Sequence, residues 1–445
     1  MQRVTCAAWF AILSASCPAA GFAAEAVRDF SPRPEEQQLP QAMRSAMKNL
    51  PGIRVGQRDA DVVGSDHRAL QAAVDYVAGL GGGVVEIGEG EYLMRDSLHL
   101  RSHVTVRGVP GKTVLRKAAA AVSPLALDGD FGEEQITLAD PSGFDVGCGV
   151  AVWDDRAGGF HTTVARIIGR NGNTLALDKP LMADCMVQNK AQAATVFPVI
   201  SGYDLVQARV ENLVIEGNRE ANVPLNGCRG AGIFLYRGSQ TVIQDCAVRN
   251  YHGDGISFQQ SNDVAVVRCR SENNAALGFH PGSGSQRPVV RQCTARGNGT
   301  DGLFLCWRVR HGLFEDNVLE GNGRFGISIG HKDSDNLLRR NQVRRNKSNG
   351  VFFRQESLGM AAHRNRLEDN VIEDNGDAPG TAGVRVRGAT NGLVFRGNLI
   401  RDTRPPGRQT QTVGFLLEEQ VGELTLQDNR IEAATPIDDR RGRGK

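Results

Sequence analysis

One copy of a repeat reads Gly326-Ile-Ser-Ile-Gly-His-Lys-Asp-Ser-Asp-Asn-Leu-Leu-Arg-Arg-Asn-Gln-Val-Arg-Arg-Asn-Lys-Ser-Asn-Gly350, and this repeat decides the fold. A glycine followed by alternating apolar residues opens the copy, and the next such glycine follows 24 residues later. The glycines that open successive copies are Gly232, Gly255, Gly278, Gly302, Gly326, Gly350, Gly383 and Gly414. The first six are separated by 23 or 24 residues, and the last two steps are wider. A register kept over so many copies predicts a solenoid.

Two further columns of side chains keep the same register. One contains Cys246, Cys269, Cys293, Asn317, Asn341, Asn370, Asn398 and Asn429, and the other contains Asn250, Asn274, Asn298, Asn322, Asn346 and Asn375. Short strands with an apolar period of two cannot bury a face alone, so the coils must stack about 4.8 Å apart. The period also excludes an α-solenoid. The sequence therefore predicts an all-β, right-handed parallel β-helix with asparagine ladders and buried thiols in its bends.

The sequence of the N-terminal part predicts a helical cap on this solenoid. Residues 66–80 have the pattern of an amphipathic helix, with Leu70, Val74 and Val77 on one stripe. Gly81-Gly-Gly83 ends the helix, and short strands follow around Gly88-Glu-Gly90-Glu-Tyr92. This order resembles the start of the pectate-lyase-like β-helix superfamily, whose members open with a helix that caps the first coil. The resemblance implies the fold and is a poor guide to function.

The chain divides into six predicted parts. These are a signal peptide at 1–24, a polar arm or linker at 25–60, the cap and first coils at 61–117, a small β-rich insertion at 118–205, the β-helix at 206–435 and a disordered basic tail at 436–445. The signal peptide rests on Arg3, an apolar run and small residues up to a cleavage point near Ala23 and Ala24. It predicts a secreted or periplasmic protein without a membrane span.

Charge and cysteine content exclude some classes of protein. A net charge of +2 provides no strong field for nucleic acid or membrane surfaces. Removing Cys6 and Cys17 with the signal peptide leaves seven of the nine cysteines, and this odd number excludes a complete disulfide framework.

Candidate functional residues lie on one outer face of the predicted solenoid. Residues two and four places after each glycine point outward, so they form columns down the stack. The candidates for substrate binding are Tyr236, Asp254, Gln259, His280, Trp307 and Arg308, and the candidates for catalysis are Asp301, His331, Lys332, Arg354 and Glu356. Histidine, arginine and aromatic side chains in one strip predict an acidic polysaccharide as the partner, for which Trp307 offers a stacking surface.

Lys332 and Arg354 are 22 residues apart and are therefore predicted to lie on adjacent coils. This segment resembles the alginate- and chondroitin-cleaving lyases of the β-helix class. The resemblance implies that the lysine abstracts the proton next to the uronate carboxyl group and that the arginine protonates the leaving oxygen. Such chemistry needs a base and a neutralised carboxylate, and His331 is an alternative base. Reprotonation on the opposite face would make the same residues an epimerase.

Three alternatives accompany this interpretation. The resembling lyases place acidic calcium ligands on the preceding coil, where this chain has Phe304 and Cys306, so no cofactor is predicted and calcium lacks its expected ligands. A glycoside hydrolase would use a pair among Asp254, Asp301 and Glu356, although both aspartates also suit turn capping. A non-catalytic carbohydrate-binding or surface protein is the third alternative. The sequence places no base beside Cys306, so this thiol is interpreted as packing.

Overall fold

Residues 49–442 are described by a computed structural model, in which three long parallel sheets contain most of the strands. Each coil passes through the three sheets in turn, and each strand pairs in parallel with its counterpart on the next coil. The chain is a right-handed parallel β-helix, which confirms the fold predicted from the repeat. The hydrophobic core of the solenoid lies between the three sheets.

Within each sheet the strands are stacked in a spatial order that follows the coils. The first sheet contains Val62–Val63, Gly52–Gly56, Gly83–Ile87, Val104–Arg107, Arg209–Glu211, Val242–Gln244, Ala265–Val267, Val289–Arg291, Leu313–Glu315, Leu337–Arg339, Arg366–Glu368, Leu393–Arg396 and Leu424–Gln427. The second sheet contains Gly90–Met94, Thr113–Lys117, Val214–Glu216, Ala247–Arg249, Arg270–Glu272, Thr294–Arg296, Val318–Glu320, Gln342–Arg344, Val371–Glu373, Leu399–Arg401 and Arg430–Glu432. The third sheet contains Leu98–His99, Ile200–Tyr203, Ala231–Tyr236, Asp254–Gln259, Phe279–Gly282, Leu303–Phe304, Ile327–Ile329, Val351–Phe353, Ala382–Val386, Val413–Leu417 and Thr435–Asp439.

The predicted cap and insertion are both present. The helix His67–Gly79 has Asp66 as its N-cap, whose side chain accepts a hydrogen bond from Arg68 N, and it buries the predicted apolar stripe. The insertion is a six-stranded antiparallel sheet with its own small core. Its strands are Val122–Pro124, Gln192–Ala194, Gly149–Trp153, Thr163–Asn171, Thr174–Leu177 and Gln135–Thr137. Short 3-10 turns span Gly159–His161, Val187–Asn189 and Arg219–Ala221. No helix within residues 49–442 is long and apolar enough to cross a membrane.

Asparagine ladders fill two of the bends. In one, Asn317 N and Nδ2 both donate to Asn341 Oδ1, and the same contact recurs from coil to coil as far as Asn429. The other ladder starts at Asn274 and ends on Gln411. Asn250 was predicted to belong to it but lies outside, because Tyr251 N donates to Asn274 instead. Cys246, Cys269 and Cys293 occupy the same position on the preceding coils, and all three are free, buried thiols.

Two predicted boundaries are wrong, and the signal peptide lies outside the described residues. The predicted arm contains the strand Gly52–Gly56, because this strand pairs with Gly83–Ile87 and buries Val55. The predicted disordered tail contains most of Thr435–Asp439, which forms the last rung of the third sheet. In both cases backbone pairing with the neighbouring coil orders the segment.

Candidate functional site

The outer face of the third sheet is covered near its middle coils. Ser257, Gln259 and His280 lie on the outer side of the sheet as predicted, yet each is almost completely buried. The cover is the segment after the 3-10 turn Arg219–Ala221, and Ser257 Oγ donates to Gly227 O at 2.6 Å. The insertion contributes Trp153 and Gly159 to the same cover. Covering converts an exposed sheet face into a cavity wall.

A cavity of about 660 Å³ lies between this cover and the sheet. Its walls include Trp153, Phe304 and Arg324, with Asp254, Cys228, His280 and Cys306 grouped on one side. The volume is in the range of pockets that bind small molecules or single sugar units.

Asp254 and His280 form a buried pair at this wall. His280 Nδ1 lies 2.6 Å from Asp254 Oδ2, and Asp254 Oδ1 accepts a hydrogen bond from Leu277 N. Gly227 passes so close that a Cβ on it would lie 1.6 Å from Asp254 Oδ2 and would displace this carboxylate. The carboxylate therefore fixes the orientation of the imidazole ring. His280 Nε2 is buried and makes no hydrogen bond to any residue in 49–442.

Two thiols complete this buried group. The sulfur atoms of Cys228 and Cys306 and a ring nitrogen of His280 lie within 4.8 Å of one another. The hydrogen bond from Cys228 lowers the pKa of Cys306 to about 4 against the opposing effect of burial, and the adjacent His280 adds to the lowering. Burial alone would lower the pKa of His280, but Asp254 and Cys306 raise it to about 10. The same contact between the thiols raises the pKa of Cys228.

A second group lies next to the cavity, at two bends that follow strands of the third sheet and at a 3-10 turn of the insertion. The indole of Trp307 stacks on the His331 ring, with centroids 4.0 Å apart and an interplanar angle of 12°, and the Phe160 ring lies 6.0 Å away. We call Phe160, Trp307 and His331 the aromatic rim. Trp307 is 39% exposed and Phe160 is 45% exposed. The rim adjoins the cavity, because Gly159 and Cys306, the chain neighbours of Phe160 and Trp307, line it.

Glu356 orients the histidine of the aromatic rim. Its Oε1 lies 2.9 Å from His331 Nδ1, and both side chains are partly exposed. If Nδ1 donates this hydrogen bond, the neutral ring presents Nε2 as an acceptor toward its surroundings. A carboxylate that fixes the tautomer of a histidine is the arrangement of a general base.

Backbone conformation sets the aromatic rim apart from ordinary bends. Trp307 and Arg308 have φ values of 58° and 69°, and His331 and Lys332 have values of 50° and 67°. Paired left-handed residues that include a tryptophan are sterically costly, by about 1–3 kcal/mol each, and such strain concentrates at functional sites. Each of the two left-handed pairs contains one aromatic ring of the rim and one cation next to it in the chain.

Lys332 and Arg354 lie on neighbouring coils but do not form a joint site. Arg354 folds back along the sheet, where it donates to Ser328 Oγ, Leu305 O and Asp333 Oδ2. Its guanidinium also lies 4.4 Å from the centroid of Phe304. Burial raises the pKa of Asp333 to about 7, with Arg354 opposing that rise. Arg354 is therefore engaged in packing, whereas Lys332 makes no side-chain hydrogen bond or ion pair within residues 49–442.

The remaining predicted residues are dispersed. Asp301 is fully buried in a two-bond ion pair with Arg324 at 2.7 and 2.8 Å. Gln259 Nε2 donates to Ser257 Oγ under the cover. Tyr236 packs near Tyr203, with ring centroids 6.3 Å apart. The hydrolase candidates Asp254, Asp301 and Glu356 thus each have a basic partner.

Sequence reasoning missed the two cysteines of the buried group. Cys306 stands in the outward column, where an apolar thiol is unusual, and that position was the available signal. Cys228 belongs to a segment without a counterpart in the repeat, where Asn226 Oδ1 accepts a hydrogen bond from Cys228 N and so positions it. No spacing in the sequence connects this segment to residue 306.

Comparison with known proteins agrees with this architecture. Residues 211–404 match a family model described as periplasmic copper-binding protein (NosD). Two mannuronan C5-epimerases of Azotobacter vinelandii, AlgE5 and AlgE2, are each 29% identical over 115 residues, which is 26% of this chain. The matched segment spans only 11% of the length of these relatives.

Solved structures resemble the chain over most of its length. The A-module of the mannuronan C-5 epimerase AlgE4 from Azotobacter vinelandii superposes with a TM-score of 0.53 at 16% identity, covering 87% of this chain and 98% of that one. A polygalacturonase from Erwinia carotovora ssp. carotovora gives 0.51 at 12% identity, covering 88% and 96%. Identities this low establish the β-helix fold alone.

Proposed function

We propose that this protein is a polysaccharide-active enzyme that binds a uronate-containing chain at the aromatic rim and abstracts the proton next to the uronate carboxyl group. The outcome of that step is either β-elimination or epimerisation. The observation that carries the proposal is the His331–Glu356 pair, stacked under an exposed tryptophan and beside two cations that have no carboxylate partner among residues 49–442. The polysaccharide enzymes named above, which share the fold, support the choice of substrate class.

The charge pattern supports an acidic ligand. At other bends an arginine in the left-handed conformation pairs with an aspartate on the preceding coil. These pairs are Arg237–Asp204, Arg268–Asp245, Arg287–Asp263, Arg340–Asp316 and Arg364–Asp335. Arg308 and Lys332 also have left-handed backbone at bends, but neither has a carboxylate partner within residues 49–442. Their positive charge is left for a ligand, and Trp307 offers an apolar surface to a sugar ring.

The chemistry assigns a role to each group. The proton next to a uronate carboxyl group is weakly acidic until its carboxylate is neutralised, and Lys332 or Arg308 supplies that charge. His331 takes the proton at Nε2, while Glu356 holds the ring through Nδ1. In β-elimination the protonated ring returns this proton to the leaving glycosidic oxygen, and in epimerisation solvent water protonates the opposite face of the sugar carbon. Lys332 thus becomes the neutralising cation, because the arginine expected to share its site is engaged elsewhere.

The test is solvent exchange in deuterated water. Uronate polysaccharides are incubated with the protein, and the loss of the ring proton next to the carboxyl group is followed by NMR. Ultraviolet absorbance of unsaturated uronate is recorded on the same samples. We expect exchange that falls roughly 100-fold or more in His331→Ala and Glu356→Gln. Lys332→Gln should weaken binding, whereas Lys347→Gln, at an exposed bend away from the rim, should leave it unchanged.

Each outcome has a distinct meaning. Exchange with unsaturated products identifies a lyase, and exchange without them identifies an epimerase. New reducing ends without exchange would replace the proposal with hydrolysis. Binding that depends on Trp307 without any reaction would reduce the protein to a carbohydrate-binding module. Absence of binding to every acidic glycan offered would refute the proposal entirely.

A further inference from the structure

The buried group in the cavity has the composition of a metal site. Two sulfur atoms, from Cys228 and Cys306, and one ring nitrogen of His280 lie within 4.8 Å of one another. Donors of a tetrahedral ion with metal–sulfur bonds of about 2.3 Å and metal–nitrogen bonds of about 2.0 Å stand roughly 3.5–3.8 Å apart. The three donors therefore need only small side-chain movements to share one ion.

The histidine provides an independent observation. His280 is 3% exposed, yet its Nε2 has no hydrogen-bonding partner within residues 49–442. A buried nitrogen without a hydrogen bond of good geometry is unfavourable, so this position suits a ligand shared with the neighbouring thiol. Nδ1 is engaged by Asp254 at 2.6 Å, which leaves Nε2 as the nitrogen that can bind an ion. A carboxylate on the second nitrogen is the usual support of a metal-binding histidine.

The cavity leaves a fourth coordination position open. Cys228, His280 and Cys306 all line the same cavity of about 660 Å³, so an ion held by them would face open space on one side. Three protein ligands with an open position distinguish reactive metal sites from closed structural ones. Thiolate and imidazole donors suit Zn²⁺ and Cu⁺, whereas calcium and magnesium prefer oxygen.

We propose that Cys228, His280 and Cys306 bind one thiophilic d¹⁰ cation, Zn²⁺ or Cu⁺, with a fourth coordination position open to the cavity. Asp254 is the positioning residue that holds the histidine ring. A bound ion would act as a Lewis acid toward a ligand in the cavity. This inference is independent of the proposed reaction at the aromatic rim, because none of the three ligands has a role there.

The competing interpretation is a Cys228–Cys306 disulfide. Both residues are free thiols in the structure, but an exported protein meets oxidising conditions. A disulfide would consume two of the three ligands, so the two interpretations exclude each other and can be separated by experiment.

The experiment uses the full-length mature protein, purified under anaerobic reducing conditions and then freed of reductant. One sample is titrated with Zn²⁺ and another with Cu⁺, each in competition with a chromophoric chelator, and bound metal is counted by mass spectrometry. We expect one ion per chain. Cys228→Ser, Cys306→Ser and His280→Ala should each lower the affinity at least 100-fold, and Asp254→Asn should lower it roughly 10–100-fold. Cys185→Ser, at a buried free thiol of the insertion, should bind like the wild type.

Cobalt(II) gives a readout of the geometry itself. The cobalt form should show thiolate-to-metal charge transfer and the visible bands of a tetrahedral centre, and added azide should shift those bands if the fourth position is open. Circular dichroism confirms that each variant is folded. Failure of both Zn²⁺ and Cu⁺ to bind would overturn the proposal. So would equal loss in Cys185→Ser, or a Cys228–Cys306 disulfide that persists in the reduced protein.

Discussion

Replacing Asn341 by alanine removes one rung of an asparagine ladder and tests the physical basis of the solenoid. Asn341 is fully buried. Its Oδ1 accepts hydrogen bonds from Asn317 N at 3.1 Å and Asn317 Nδ2 at 2.9 Å. Its Nδ2 donates to Phe314 O and Asn370 Oδ1, both at 2.9 Å. One side chain therefore links three consecutive coils.

The expected loss follows from these four hydrogen bonds. A buried hydrogen bond contributes about 1 kcal/mol net, and a donor left without an acceptor costs about 1–3 kcal/mol. In Asn341→Ala, Asn317 Nδ2 still donates to Val290 O, and Asn370 Oδ1 still accepts from the backbone N of residue 341. Each of these two groups therefore keeps one hydrogen bond. The Asn317 N–H loses its acceptor. We expect the free energy of unfolding to fall by about 3–4 kcal/mol.

Denaturant unfolding followed by circular dichroism measures this loss, provided that the denaturant slope is unchanged. Gln342→Ala is the matched control, because Gln342 is exposed on the adjacent position and should change stability by less than about 0.5 kcal/mol. Asn341→Asp keeps the volume but turns an oxygen toward Phe314 O and Asn370 Oδ1, so it should destabilise at least as much as alanine. A loss below about 1 kcal/mol in Asn341→Ala, or a mild effect of the aspartate, would refute the hydrogen-bond account.

Three further predictions concern single residues. Burial lowers the pKa of Lys117 from 10.5 to about 7, so between these pH values the unfolded chain binds a proton that the folded chain does not. The free energy of unfolding of the wild type, relative to that of Lys117→Met, should therefore rise by about 1.4 kcal/mol per pH unit between these two values. A difference that does not change with pH would contradict this prediction. Gly227→Ala should displace Asp254 and weaken metal binding at least 10-fold, whereas Gly79→Ala, with open space around it, should leave affinity unchanged. Tyr251→Phe removes the hydrogen bond to Phe197 O and should cost about 1–2 kcal/mol in thermal unfolding, and an unchanged midpoint would contradict it.

The fold was predictable because its determinants repeat. Each ladder asparagine meets its counterpart one coil later, so a column in the sequence is a contact in the structure. The contact between His331 and Glu356 obeys the same rule, since 25 residues is about one coil. Any functional contact between equivalent places on adjacent coils is open to prediction in this way.

The cavity was not predictable by that rule. Cys228 reaches Cys306 from a covering segment that has no register with the repeat. Arg354 has the right spacing from Lys332, but spacing does not determine a rotamer, and its guanidinium turns toward Asp333 instead. The alternation of inward and outward positions also says nothing about a cover laid over the outer face, so His280 was expected on the surface and is buried.

Departures from the repeat concentrate on the coils between Gly278 and Glu356. There a tryptophan adopts the left-handed conformation, and Arg308 and Lys332 find no carboxylate partner in the described part of the chain. On the same coils a buried histidine keeps one nitrogen unpaired with any residue from 49 to 442. The left-handed tryptophan and the unpaired buried nitrogen each cost stability, and the asparagine ladders of the same coils help to hold them in place. Such departures from the repeat, grouped on a few coils of a rigid solenoid, indicate selection for ligand binding rather than for folding. Ligands should therefore be sought at the aromatic rim and in the cavity.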